Sequence, residues 1–314
     1  KGIYIITCAL SVILGISIFL VNSKLTKNKS ISFIITIGAI YVLKPYIAAR
    51  AQLVTFILFI WEIFFIEKFI ENPRHIEVQV MADEHGNVIH LGERDCTVQR
   101  NNQKMLEETP SGVITDKLRQ KMGKITVNAI KEVGYSNVGT IEYLLDKNKD
   151  FYFMEMNTRV QVEHPITEAI TGIDIIKEQL KIASGEKLQY KQDDIKFTGH
   201  SLEARINAEN PYKNFMPCPG EIKELHIPGG NGIRIDTAIY PGYKIPPTYD
   251  SMIAKIIVHG KMKSALGEFV IDGINTNIDF LYRILKDEDF ISNNYDTSFI
   301  AKKFANKEKD NGNR

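Results

Sequence analysis

Two hydrophobic patterns divide the chain. Up to about residue 61 the apolar residues come in runs. IYIITCALSVILGISIFLV (3–21) carries no charge, and SISFIITIGAIYVL (30–43) and QLVTFILFIW (52–61) follow it. The first run is long enough to span a bilayer, and the other two are short for that. From about Glu67 onward the pattern becomes periodic. HIEVQVMADEHGNVIHLGERD (75–95) alternates, breaks at DEHGN and alternates again, which predicts a hairpin. SGVITDKLRQKMGKITVNAIKEVGY (111–135) has Leu118, Met122, Ile125 and Ile130 at near-helical spacing, with Asp116 as N-cap and Gly134 as stop. GTIEYLLDKNKDFYFMEMN (139–157) predicts a second hairpin turning at DKNKD. ITEAITGIDIIKEQLKIASG (166–185) predicts one helix ending at Gly185. Gly/Pro turns between short β-rich runs over 198–260 predict a compact β-rich region, and 269–290 reads as mostly helical. ANKEKDNGNR (305–314) reads as a solvated polar tail.

Composition adds bounds. A chain of 314 residues, 44% hydrophobic and 25% charged, supports a globular core in one to three domains. A net charge of +1 gives no reason to expect nucleic acid as a partner. Cys8, Cys96 and Cys218 have no metal-ligand spacing and, being odd in number, no disulfide framework, which favours a reducing compartment. A single Lys1 and further apolar runs without a small-residue cleavage pattern argue against a secretory signal.

The chemistry concentrates in FMEMNTRVQVEHP (153–165). Read as a strand, it puts Glu155, Asn157, Arg159, Gln161 and Glu163 on one face and Met154, Met156, Thr158, Val160 and Val162 on the other. Across the DKNKD turn, Glu142 comes opposite Glu155. Two opposed carboxylates require a proton or a cation between them. Magnesium takes a few carboxylate or amide oxygens together with substrate phosphates, and Asn157 offers the third oxygen. Arg159 would then offer a planar fork to an oxyanion, and Glu163 a general base. The plain alternative is a solvent-exposed strand face.

These residues also carry a resemblance. EMNTRVQVEHPITE, with GTIEYL before it and HSLEARINAE after it, resembles the biotin carboxylases, members of the ATP-grasp superfamily. The likeness runs from roughly Ile66 to Ala305 through IEKFIENPRHIEVQV, ERDCTVQRNNQK, FMPCPGEI, PPTYDSMIAK and IDGINTNIDF. It implies an α+β chain: an ATP-grasp C-terminal lobe over 62–190, a biotin carboxylase C-terminal domain over 191–304, and an unrelated apolar, helical segment over 1–61.

The implied activity is ATP-dependent carboxylation of biotin on a carrier protein. Bicarbonate enters through carboxyphosphate, as in the first half-reaction of acetyl-CoA carboxylase in fatty acid biosynthesis. By similarity Glu142, Glu155 and Asn157 hold magnesium or manganese. Arg159, Gln161 and the Val162 backbone bind bicarbonate, and Glu163 deprotonates it. Arg205 stabilises the biotin enolate, and Lys104 lies near the phosphates and bicarbonate. Glu67, Lys68 and Ile70 form the adenine hinge, and His75, Gln99 and Asn102 complete the nucleotide side. The implied partners are a biotin carboxyl carrier protein, carboxyltransferase components and a second copy of the chain, and the implied location is cytoplasmic.

The sequence departs from the family pattern in two places. No glycine-rich phosphate lid precedes Gly86, which implies weak turnover by this chain alone. The join HGKMKSALGEF is about eight residues short, about two turns of helix. Three readings of residues 1–61 stay open: membrane segments, a buried helical subdomain, or out-of-register translation. The rival to an enzyme is a non-catalytic fragment or interaction subunit that binds an intact carboxylase.

Overall fold

Both expected hairpins close through the same device. In the first, Asp83 accepts from the backbone N–H of His85 and of Asn87 through Oδ1, both at 2.9 Å. In the second, Asp146 Oδ1 accepts from Asn148 N at 2.8 Å and Asp150 N at 2.9 Å. An aspartate at the first turn position satisfies the donors that the reversal would orphan. The strands so joined are β1 (Arg74–Ala82) with β2 (Val88–Arg100), which a tight turn then links to β3 (Gln103–Thr109), and β4 (Asn137–Leu145) with β5 (Phe151–Asn157).

The computed structural model describes residues 14–20, 36–37, 70 and 72–304. The chain separates into two units, 1–71 and 72–314. Of the first unit, residues 14–20 and 36–37 are helical, and Leu14 and Ile18 are buried. The rest of the apolar segment, Glu67, Lys68 and the 305–314 tail lie outside the described residues. No helix among the described residues is long and apolar enough to cross a membrane.

The second unit is α+β. Three later strands, β6 (Ser201–Asn207), β7 (Ile233–Thr237) and β8 (Met252–Val258), join the first five in one antiparallel sheet. Its order is β7-β8-β6-β3-β2-β1-β4-β5, so the sheet is continuous across the boundary expected at 190/191. On one face Ile76, Val78 and Val80 of β1 and Ile141, Tyr143 and Leu145 of β4 pack with Met122 and Ile130 of helix α1 (Asp116–Glu132). The N-cap of α1 is Thr115, whose hydroxyl accepts from Leu118 N, and not Asp116, whose carboxylate pairs with Arg119. Gly123 of α1 lies so close to β2 that a Cβ there would sit 2.2 Å from His90 Nε2. Gly123→Ala is therefore expected to cost about 1–3 kcal/mol in urea denaturation, as overpacking does, despite the roughly 1 kcal/mol that alanine gains over glycine in a helix. An increased midpoint would contradict this.

Two expected helices are broken. The 166–185 helix is two: α2 (His164–Thr171), ended by Gly172 at φ 71°, and α3 (Ile175–Ala183), started by Asp174, which accepts from Lys177 N. A left-handed glycine followed closely by a new N-cap stops one helix and begins the next. The region 269–290 starts as strand: Val270–Asp272 pairs with Glu224–His226. Beyond the short α4 (Met262–Glu268), among the described residues, only α5 (Ile278–Ile284), α6 (Glu288–Ile291) and α7 (Phe299–Lys303) are helical.

Candidate active site

Because alternate side chains of a strand share a face, the apolar set that β1 turns toward α1 leaves His75, Glu77 and Gln79 on the other side. Pairing register extends this into rows across the sheet. Glu155, Glu142, Glu77 and Arg94 are successive partners from β5 through β4 and β1 to β2, and Asn157, Thr140 and Gln79 form the adjacent row. Glu142 and Glu155 are thus directly opposite each other.

The polar run 153–165 is not one strand. β5 stops at Asn157, the chain turns, and Glu163 becomes the N-cap of α2, with a proline in the first turn. Proline cannot donate to a ladder but suits a first helical turn. The row therefore splits: Glu155 and Arg159 are exposed, whereas Gln161 and Glu163 fold over the sheet and are buried. Glu163 makes no capping bond, since both its oxygens are engaged elsewhere.

Lys104 on β3 is the hub. Its ammonium donates to Glu163 Oε1 at 2.6 Å, Glu77 Oε2 at 2.7 Å and Glu142 Oε1 at 3.1 Å. Arg205 on β6 donates to the other oxygen of Glu163 at 2.9 Å and to Glu107 Oε1 at 2.6 Å. His75 Nε2 lies 2.7 Å from Glu142 Oε2. Gln161 is used at both ends: its amide nitrogen donates to Glu142 Oε1 at 2.6 Å, and its oxygen accepts from Arg94 at 3.0 Å. Arg94 is fully buried and also donates to Glu77, Gln79, Thr167 and Thr140.

Burial raises the carboxyls of Glu77 and Glu142, but the cations outweigh it. Arg94 and Lys104 bring Glu77 down to about 2. The His75 hydrogen bond and Lys104 bring Glu142 down to about 2. Burial opposes the Lys104 ammonium, and the surrounding anions raise its pKa all the same. Cys96, 3.9 Å from Glu163, is pushed well up by burial and stays a thiol.

The structure thus brings together Lys104, Glu142, Gln161, Glu163, Arg205 and His75. Asn157 Nδ2 bridges the acidic pair, donating to Glu142 Oε1 at 3.0 Å and Glu155 Oε1 at 3.3 Å. Arg159 stays outside the cluster and bends back to Val160 O and Asn157 Oδ1. The Val162 carbonyl accepts from Lys255 at 2.6 Å. Gln99 is buried as the register partner of Lys104. Asn102 is exposed at φ 63° in the β2–β3 turn and does not join the cluster. Ile70 belongs to the first unit and is buried.

Residue-by-residue reading missed Glu77, Arg94, Glu107, Glu203 and Lys255. The signal for Glu77 was HIEVQV, whose polar positions lie on a strand buried on both faces.

Comparison with known proteins places this geometry. Residues 46–191 match the family described as carbamoyl-phosphate synthase L chain, ATP binding domain, a match that begins inside the apolar stretch. Residues 203–302 match the biotin carboxylase C-terminal domain. The chain is 56% identical over 245 residues to biotin carboxylase 1 of Bacillus subtilis (strain 168), covering 75% of this chain and 54% of that protein. It is 52% identical over 246 residues to the chloroplastic biotin carboxylase of Arabidopsis thaliana, covering 76% of this chain and 46% of that protein. Among solved structures, the biotin carboxylase domain dimer of Hydrogenobacter thermophilus 2-oxoglutarate carboxylase, in complex with MgADP, ADP and bicarbonate, is 46% identical. It superposes with a TM-score of 0.73 over 81% of this chain and 60% of that one. The chain spans about half the length of the curated relatives it matches. Taken with the shared antiparallel sheet, these matches identify the chain as a member of the biotin carboxylase family of ATP-dependent ligases, corresponding to its C-terminal part.

Proposed function

We propose that this chain contributes the C-terminal lobe of a biotin carboxylase site, which carboxylates biotin on a carrier protein with ATP and bicarbonate. The observation that carries the reading is one carboxylate, Glu163, held between Lys104 and Arg205 beside the opposed pair Glu142 and Glu155. Residues for a divalent cation fit. Glu142 and Glu155 oppose each other and Asn157 reaches both; with its amide turned to present Oδ1 in place of Nδ2, all three would offer the hard oxygen donors that magnesium or manganese takes. His75 on the second oxygen of Glu142 orients that ligand. When bound, the cation would offset the charge of nucleotide phosphates.

The remaining roles fall to the chain itself. Glu163 takes the proton from bicarbonate, whose oxygen can then attack the γ-phosphorus of ATP, breaking its bond to the β-phosphate oxygen and giving carboxyphosphate and ADP. Lys104 and Arg205 hold the anions that meet there, with permanent charge and, for arginine, a fixed fork. The exposed Arg159, here bonded to Val160 O and Asn157 Oδ1, would offer its guanidinium to bicarbonate. A biotin carboxyl carrier, a carboxyltransferase component and a second copy of the chain are the partners this reading implies.

The test is calorimetric titration of the full chain with ADP, with and without magnesium, and with bicarbonate. Magnesium is expected to tighten ADP binding. Glu142→Gln should lose that gain by at least about tenfold, equivalent to about 1.4 kcal/mol. Arg159→Ala should lose bicarbonate while keeping ADP. ADP binding that ignores magnesium, or bicarbonate binding that survives Arg159→Ala, would overturn the reading.

A further inference from the structure

β3 and β6 place Glu107 and Glu203 directly opposite each other, 1% and 0% exposed. Opposed residues of an antiparallel pair share a face, with Cβ atoms about 4.5–5.5 Å apart. Glu107 is anchored at Oε1 by Arg205. Its Oε2 has no hydrogen-bond partner among the described residues, and neither has either oxygen of Glu203. Lys255 lies 4.0 Å from Glu203 Oε1, but it donates to the Val162 carbonyl at 2.6 Å and sits 3.4 Å from Asp236. Two ionised carboxyls would leave three buried acceptor atoms facing each other without a donor, a costly arrangement.

Charge balance points the same way. Across this pair and the adjoining cluster the acids are Glu77, Glu107, Glu142, Glu163 and Glu203, and the fixed cations are Arg94, Lys104, Arg205 and Lys255. The acids outnumber the fixed cations by one. The groups facing Glu107 are Arg205, Glu163, Lys104, Cys96 and Glu203, and those facing Glu203 are Glu107, Lys255, Arg205 and Glu163.

We propose that Glu203 holds one proton at neutral pH, donates it to the free Oε2 of Glu107, and so leaves Glu107 as the single anion that positions Arg205 against Glu163. One proton supplies the missing donor and reduces the excess of negative charge, which is the larger because Lys255 is shared with Asp236. Burial raises both carboxyls. Glu203 goes well above the ordinary range, helped by Glu107 and opposed by Lys255, while Glu107, anchored by Arg205, rises less. Both are positioning residues, acting through Arg205. The role given to Arg205 rests on the function proposed above, but the proton does not, since it is read without substrate.

The sign follows from linkage. The folded chain binds a proton that the unfolded chain releases near 4.5, the ordinary glutamate value, so this contribution to stability is full below 4.5 and is lost as pH rises from there toward the raised value of the folded Glu203 carboxyl. The test is infrared spectroscopy of the full chain at neutral pH, with urea denaturation across that range. The unmutated chain is expected to show the carbonyl band of a protonated carboxyl. Relative to Glu203→Gln, its folding constant should fall about tenfold per pH unit above 4.5, a comparison that cancels the opposite slope of the His90 imidazole, which burial pushes down to about 4.

Glu203→Gln keeps the shape and the donor, so it should fold, lose the band and lose that slope. It should also retain the Arg205 Nε–H nitrogen resonance that Glu107→Gln shifts. Glu203→Leu has no donor and should not rescue. Absence of the band from the unmutated chain overturns the proposal whether or not the variants fold. A band or slope that survives Glu203→Gln overturns it too.

Discussion

Arg94→Met is expected to lower the unfolding free energy by about 3–5 kcal/mol, the scale for breaking a buried ion pair from one side. The guanidinium is completely buried, and its three nitrogens donate to Glu77, Gln79, Thr167, Thr140 and Gln161. Methionine replaces only the aliphatic stem and donates nothing, so Glu77 loses one of its two cations and four neutral acceptors lose a donor. Arg94→Lys keeps the charge without the planar fork and should fall between, because one ammonium cannot reach groups on β1, β4, α2 and the turn before α2 together. Urea denaturation followed by circular dichroism measures both. A loss under about 1 kcal/mol for Arg94→Met, the ordinary size for a point change, would contradict the account.

Lys104→Met should be of similar size, about 3–5 kcal/mol, by the same one-sided logic. Here the ammonium is what lets Glu77, Glu142 and Glu163 approach one point. Its side chain is 13% exposed, so water can compensate in part, and the lower end of that range is expected. Adding Glu163→Gln to Lys104→Met should recover some stability, since it removes one of the three stranded charges. A double-mutant cycle reads that coupling directly. Strict additivity would mean that Lys104 and Glu163 do not interact.

What could be read from sequence was what is local. The DEHGN and DKNKD turns carry their own donors and acceptors, so both hairpins, and with them the opposition of Glu142 and Glu155, follow from short-range chemistry. The break at Gly172 was also local: glycine then Asp174 is a stop followed by a start, hidden by the helical spacing on either side. The end of β5 at Asn157 was harder, because alternation continues to Glu163 and only Pro165 marks the change. Glu77 and Arg94 look like ordinary half-exposed strand residues until Gln161, Glu163 and Thr167 close over them. The pairing of β3 with β6 joins residues nearly a hundred positions apart, which no local pattern announces. Arg205 came from family resemblance alone, and Glu107 and Glu203 were not picked out.

The two family matches part between residues 191 and 203, yet the sheet has no seam there. β6 is stitched between β3 and β8, so the inherited modules divide where the hydrogen-bonded fabric does not. Splitting the gene at that point would bare a strip of backbone donors and acceptors on both pieces, an invitation to stick to other chains. It would also carry Arg205 and Lys255 away from Glu163 and Val162. Anyone transplanting this half-site into another scaffold has to move both modules together.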